Sequence, residues 1–502
     1  MKIKHHFFIA FIFFMGIGIS SVSCNKSQAM HEQWSDPQIK AGVVKIHGKL
    51  NDPRSQIPFL ILRFRNLVTL SENIIETQIE EDGSFYFETP IECSVVFSSI
   101  YYPGRGSVMI ELFFNEDKKV DLSLDTSGKL KIDNITGSSL LTNSDKDNYN
   151  SVMERYITFR VNNPELLCEM TPEEYANNEM NMMQVRIDYA MKDAKLSDAG
   201  KNFFSNELKL FHLRGTLLQP KERIELICRN NENLHFQEPD ILYYTFLKSF
   251  YLSNLQYIYC LNYSIMTERL LSEKAFNIPP IANTPVEEWL GRVKATLSDL
   301  VGFDTGQFYD LLAANSYAKQ FNDEVVPLTE IQKSNIKNYF GDSEISKILL
   351  RKNEEVIDLA EKKHAVFVNK TPEVSKEQLM DAIIFKYKNK VVLVDFWATW
   401  CSPCLDAMVR IDAIKNQLND RVIFVYITNG SSPRDIWDKK INSIRGEHYY
   451  LKGDEWTYLM ESFGFNGIPS YVIFDTKGVK RDVLTGFPGK EEMQAMIEKL
   501  LP

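Results

Sequence analysis

Two cysteines three positions apart, Cys401 and Cys404, stand in Trp400-Cys401-Ser402-Pro403-Cys404, directly after the apolar run Val391-Val392-Leu393-Val394-Asp395-Phe396. This spacing suits disulfide exchange: one thiolate attacks a substrate disulfide, and a second thiol must reach the mixed disulfide to release it. If a helix begins at Cys401, the i, i+3 spacing puts both sulfurs on one face. Cys401 then meets free N–H groups and the positive end of the helix dipole, which favour its thiolate. Cys404, one turn in and more buried, suits the resolving role. Other uses of the pair fit less well. A structural zinc site takes four ligands, whereas the chain has one Cys-x-x-Cys and no histidine close to it in sequence. Haem attachment needs His after the second cysteine, and residue 405 is Leu. A purely structural bridge over so short a loop gains little loop-closure entropy. The reading is a redox dithiol with no metal and no cofactor beyond a Cys401–Cys404 disulfide.

The segment Val394-Asp395-Phe396-Trp397-Ala398-Thr399-Trp400-Cys401-Ser402-Pro403-Cys404 resembles the active-site segment of thioredoxin-fold proteins, in particular thiol–disulfide oxidoreductases of the TlpA and ResA type. A second element of the resemblance is Gly467-Ile468-Pro469-Ser470, just before the apolar strand Tyr471–Phe474. It implies a cis Ile468–Pro469 bond, which proline makes accessible, with Pro469 facing the cysteines. It also implies that Ile468 offers its main chain to a substrate polypeptide and that Trp400 borders the same groove. Trp397 and Trp400 would pack around the dithiol. Asp395, a carboxylate in an apolar run, is costly to bury. The resemblance makes it an acid behind Cys404 that shuttles its proton; the plain alternative is an exposed Asp at a strand end. Two positions depart from the family pattern: Val409 stands where a kinking proline is usual, and Ala407 where many relatives carry Glu. The helix is therefore expected to form more easily, and the thiol tuning to differ.

The elements that must hold these residues fit an α/β fold over 366–502. Val422–Ile427 reads as a buried parallel strand. Ser432-Pro433 reads as an N-cap with proline at the first helical position. Asp475–Gly478 reads as a turn between two strands, and Lys490–Leu501 as a closing amphipathic helix. A helix from Ser375 is expected ahead of the active-site strand. Cys404 and Pro469 are 65 positions apart, which leaves room for the extra helix and strand of TlpA-type domains around Ser432–Leu451.

The chain before this domain falls into further regions. Lys2 and Lys4 precede the apolar stretch Phe7–Ile19, followed by Ser20, Ser21, Val22, Ser23 and Cys24. That is the pattern of a signal peptide over 1–23, shorter than the roughly 20 apolar residues of a membrane span. Cys24 resembles the lipidated cysteine of bacterial lipoproteins, although Ser21 stands where leucine is usual; without lipidation the protein would be secreted with an incidental cysteine. Lipidation would anchor the chain to a membrane, facing the periplasm. After a linker over 24–40, residues 41–145 alternate and turn often, as in Val43–Leu50, a turn at Asp52-Pro53, and Glu81-Asp82-Gly83 leading into Ser84–Glu88 as a hairpin signal. An antiparallel β-sandwich is expected there, and by layout it resembles the N-terminal β-domains of Bacteroidetes lipoproteins. Residues 146–365 read as helical, with an aromatic-rich zone from Tyr243 to Tyr259 that is either helix core or a docking surface. Cys93, Cys168, Cys228 and Cys260 show no close pairing. Buried free thiols are the default, with a disulfide between two of them left open.

The net charge of −10 argues against nucleic acid as a partner. The expected partners are disulfide-containing envelope proteins and a membrane reductant. The expected function is an envelope thiol–disulfide oxidoreductase that reduces disulfides. The alternatives are an oxidase or isomerase built on the same residues, and a binding lipoprotein whose redox domain is accessory. A peroxiredoxin-type peroxidase lacks its Pro-x-x-x-Thr-x-x-Cys loop here.

Overall fold

The computed structural model describes residues 34–51, 58–159, 164–192, 194–228, 237–362, 366–418 and 421–501. The leader, Cys24 and the Asp52-Pro53 turn lie outside the described residues.

The first region is built from β1 (Ile39–Asn51), β2 (Phe59–Arg65), β3 (Glu72–Gln78), β4 (Ser84–Cys93), β5 (Val95–Tyr102), β6 (Gly106–Phe113), β7 (Asp117–Leu124) and β8 (Leu130–Ile135). They form two sheets, β4-β1-β7-β8 and β3-β2-β5-β6. Alternation along the strands sends Val44, Ile46, Leu60, Leu62, Phe87, Ile100, Ile110 and Val120 into one core between them. The pairing is antiparallel except between β1 and β7, which run parallel. Gly83 holds the turn before β4 at φ +85°, where a Cβ would meet the Leu50 carbonyl oxygen at 2.5 Å. The strands flanking this turn are not a hairpin, contrary to the sequence signal. β3 pairs with β2 and β4 with β1, so the turn carries the chain from one sheet to the other across the shared core.

The middle region is helical, from Asn143–Thr158 to Glu344–Lys362. Capping boxes at Thr142, Thr171 and Thr329 start three of its helices. In the aromatic zone Tyr243, Tyr244, Phe250, Tyr257 and Tyr259 are buried, while Tyr251 points outward. Its rings pack edge to face, Tyr243 and Tyr244 at 4.8 Å, as core aromatics do. Cys168 and Cys228 form a disulfide across 60 positions, which corrects the default of free thiols for these two. The helix Pro220–Ile227 packs on the turn Pro164–Glu169 and brings them together. Cys93 and Cys260 are free and buried.

The last region contains β9 (Val366–Val368), α1 (Leu379–Phe385), β10 (Val391–Phe396), α2 (Ser402–Leu418), β11 (Val422–Asn429), α3 (Arg434–Lys440), β12 (Gly446–Leu451), α4 (Gly453–Ser462), β13 (Ser470–Phe474), β14 (Lys480–Thr485) and α5 (Lys490–Glu498). They build one sheet, β14-β13-β10-β11-β12-β9. Its β9, β12, β11 and β10 run parallel, β13 runs antiparallel to β10, and β14 runs antiparallel to β13 and so in the direction of β10. Helix α1 starts at Leu379 rather than Ser375, because the buried face begins there while Lys376 and Glu377 are exposed. Helix α3 and strand β12 occupy the stretch where an insertion is expected. Val391 and Leu393 face α2, whereas Val392, Val394 and Phe396 face α1 and α4. The period of two therefore puts Asp395 on the α2 side.

Candidate active site

Strand β10 ends in a loop that is pinned from β11 and the turn after it. The Trp397 N–H donates to the Ile427 carbonyl at 3.0 Å. The Thr399 N–H donates to Ser432 Oγ at 2.9 Å, and Ser432 Oγ pairs with Thr428 Oγ1 at 2.8 Å. Trp400, 64% exposed, donates its indole N–H to Ser431 Oγ at 3.2 Å. The Ser432 hydroxyl thus serves the dithiol loop and not the helix after it, which corrects its reading as an N-cap. Pro433 takes the cap position of α3, with no side-chain cap bond.

Helix α2 starts at Ser402, one residue after Cys401. Pro403, which lacks an N–H, is tolerated in the first turn. Cys401 therefore sits in the cap position rather than inside the helix. Its carbonyl accepts from the Cys404 and Leu405 N–H groups, both at 3.1 Å. Its Sγ accepts from the Cys404 N–H at 3.3 Å, so the sulfur lies at the positive end of α2. The two cysteines are joined as a disulfide. Cys404 is fully buried, and Cys401 keeps a small exposed edge of 3%.

Asp395 stands opposite Tyr426 of β11 and Tyr471 of β13, so three polar side chains lie side by side beneath α2. Among the described residues, neither carboxylate oxygen of Asp395 and neither tyrosine hydroxyl has a hydrogen-bond partner. Burial holds the Asp395 carboxyl well above the ordinary carboxylate range, with Lys415 acting weakly against that. Lys415, buried on α2, lies 4.7 Å from the centre of the Tyr426 ring and 4.0 Å from Asp412 Oδ1, and donates to the Arg445 carbonyl. Burial pushes its amine down to about 7, with Asp412 and Asp395 opposing. An acid held above its ordinary range beside an amine held to about 7 is the kind of pairing that concentrates at sites of proton transfer. Sequence reasoning gave Ser432 a different role, as a helix cap, and passed over Lys415, Tyr426 and Tyr471 as site residues. The two tyrosines could have been found from their alternating positions in apolar strands.

The Ile468–Pro469 bond is cis. Pro469 is buried, and its carbonyl accepts from the Gly486 N–H at 2.8 Å. Ile468 packs against the same cluster as Cys401, Cys404 and Trp397. Ala407 is buried in that cluster, whereas Val409 is half exposed on an α2 that runs unbroken. Leu405, Met408 and Val409 face a cleft of about 680 Å³ shared with α3, β3 and the middle region. Among the described residues no group of three His, Cys, Asp or Glu is placed to hold a metal.

Residues 378–501 match the family model described as a thioredoxin-like domain. The thioredoxin-like protein YneN of Bacillus subtilis is 29% identical over 138 residues, covering 26% of this chain and 75% of the relative. The thiol–disulfide oxidoreductase YkuV of the same organism is 25% identical, covering 26% and 84%. ResA of Geobacillus thermodenitrificans is 22% identical, covering 23% and 66%. Similar solved structures include the pneumococcal exposed lipoprotein thioredoxin Etrx1 of Streptococcus pneumoniae, at 23% identity and TM-score 0.21, covering 23% of this chain and 90% of that one. The C-terminal region of this chain thus contains a thioredoxin-like domain, with the Cys401–Cys404 pair at the head of its first long helix.

Proposed function

We propose that the protein is a cell-envelope thiol–disulfide oxidoreductase that reduces disulfides of periplasmic proteins through Cys401 and Cys404. The observation that carries this reading is the dithiol at the N-terminus of α2, with the buried Asp395 beneath that helix on the adjoining strand. In the reduced protein the Cys401 thiolate attacks one sulfur of a substrate disulfide. The substrate S–S bond breaks, a mixed disulfide forms, and the departing thiolate takes a proton. Asp395 then accepts the proton of Cys404. The resulting thiolate attacks the Cys401 sulfur, the second substrate thiol leaves, and two electrons have passed to the substrate. The Cys401–Cys404 disulfide left behind needs a membrane dithiol reductant, because the periplasm is kept oxidising. Ile468, Pro469 and Trp400 shape the groove in which the substrate chain lies.

The compartment follows from the leader, with Cys24 as a lipid anchor; no helix of the described residues is long and apolar enough to cross a membrane. The test is insulin reduction by the mature chain with a dithiol donor. Cys401→Ser should abolish it, and a variant as active as wild type would remove the mechanism. The direction of electron flow is read from the reduction potential of the couple. A value well above the roughly −270 mV of thioredoxin would turn the reading to an oxidase or isomerase.

A further inference from the structure

The β-sandwich meets the redox domain at the helix that carries the dithiol. Arg63 of β2 holds Asp406 of α2 at 2.5 Å, and the Asp406 side chain is 8% exposed. Glu76 of β3 holds Arg410 of α2 at 2.8 Å, both nearly buried. The other oxygen of Glu76 accepts the Lys490 N–H at the start of α5, also at 2.8 Å. Arg410 lies between the Phe59 and Phe487 rings. Gly489 approaches Phe59 so closely that a Cβ would stand 2.4 Å from the ring. These contacts fix β2 and β3 on the outer face of α2 and α5.

Asp406 follows Cys404 by two positions and Cys401 by five, about 8 Å along the helix axis from Cys401 at 1.5 Å per residue. That axial rise is comparable with the screening length of about 8–10 Å at ordinary salt, and the Asp406 side chain is nearly buried. A carboxylate there opposes a Cys401 thiolate, and a guanidinium beside it offsets that opposition.

We infer that the β-sandwich is part of the redox centre: Arg63 is a positioning residue that balances the charge of Asp406 and so sets the reduction potential of the Cys401–Cys404 couple. The inference rests on the dithiol reading above. Asp406 is faced by Arg63 from β2, by Glu72 from β3 and by Arg410 on its own helix. Burial raises its carboxyl while the two guanidiniums lower it. Loss of Arg63 leaves the carboxylate to Arg410, which is itself paired with Glu76; this disfavours the Cys401 thiolate and shifts the couple toward the disulfide. Loss of the Asp406 charge does the reverse.

The experiment equilibrates the full chain with glutathione redox buffers above neutral pH and reads the dithiol fraction. Arg63→Gln is expected to move the equilibrium at least threefold toward the disulfide, about 14 mV for this two-electron couple. Asp406→Asn should move it by a similar factor toward the dithiol, and Arg63→Lys should recover most of the wild-type value. The Arg63→Gln shift should grow as pH rises through the titration of Asp406. Should Arg63→Gln fail to fold, the sign of the Asp406→Asn shift decides alone. Shifts of the same sign in both variants, or an unshifted Asp406→Asn, would mean that the ion pair only docks the domains and would overturn the inference. A wild-type dithiol that does not exchange with glutathione would instead remove the proposed function.

Discussion

Two buried carboxylates, one in the β-sandwich and one in the redox domain, are treated in opposite ways. Glu111 on β6 is fully buried and fully answered. Lys146 lies 2.7 Å from it, the Leu140 and Leu141 N–H groups donate to it at 3.1 and 2.8 Å, and Ser139 adds its hydroxyl. Asp395 on β10 is equally buried and has no side-chain hydrogen bond among the described residues. A buried charge is tolerable when paired and donated to, and costly otherwise. Glu111 joins β6 to the first helix of the middle region. Asp395 joins nothing, and its isolation makes it able to take a proton. The contrast separates a carboxylate kept for architecture from one kept for chemistry.

That contrast can be broken at either end. Glu111→Leu leaves Lys146 without its partner and should cost about 3–5 kcal/mol of stability, as the loss of one member of a buried pair does. The denaturant midpoint read by circular dichroism checks the loss, and the dithiol of the folded fraction should keep its rate. Asp395→Asn should do the opposite. Stability at neutral pH should hold or rise, while the resolving step slows about a hundredfold, the lower range for a positioned acid or base. Single-turnover insulin reduction separates the two effects. The pH dependence has a definite sign. Asp395 titrates higher when folded than the roughly 3.9 of an unfolded chain, so the native state binds the extra proton. Its contribution to stability is therefore lost as pH rises from that unfolded value through its folded one. Asp395→Asn should lack this decline, and a variant that keeps it would assign the titration elsewhere.

Lys415 sharpens the contrast from the other side, since its amine is held down to about 7 against about 10.4 unfolded. Between those values the unfolded chain binds more protons, so stability rises with pH. Lys415→Met should gain stability over wild type below neutral pH, and the gain should fade as pH climbs toward the unfolded value. A melting series across pH measures it, with a smaller effect expected than for Asp395→Asn because the lysine has Asp412 and the Arg445 carbonyl as partners.

The three-region fold and the place of the dithiol were legible because they depend on local pattern. The run from Val391 to Phe396 alternates about a sheet, so its odd positions had to share a face with Asp395. Cys401, Cys404 and Pro469 belong to motifs whose spacing is itself the signal. What escaped depends on packing between distant segments. Cys168 and Cys228 lie 60 positions apart. The turn at Gly83 looks the same in sequence whether its strands pair or part for two sheets. Lys415 reads as one more lysine on a helix until β10 is laid beneath it, and Arg63 as an ordinary strand arginine until Asp406 faces it.

Ser432 offers the finest test of how the redox domain differs from its surroundings, because a helix cap and a loop anchor call for the same residue type. Its hydroxyl accepts from Thr399 N–H and pairs with Thr428, and both Ser432 and Thr428 are fully buried. Ser432→Ala leaves the partly buried Thr399 N–H and the buried Thr428 hydroxyl without that partner, a loss of about 1–3 kcal/mol. The loop holding Cys401 should loosen, with about a threefold slower attack, near 0.65 kcal/mol of barrier. A cap would be replaced well by Asn, which serves as an N-cap as readily as Ser. An anchor in a fully buried site would not, since Asn is larger and brings two donors. Ser432→Asn should therefore be at least as harmful as Ser432→Ala in both melting temperature and insulin reduction. Recovery of wild-type values by Asn would return Ser432 to the helix and leave the dithiol loop without this support.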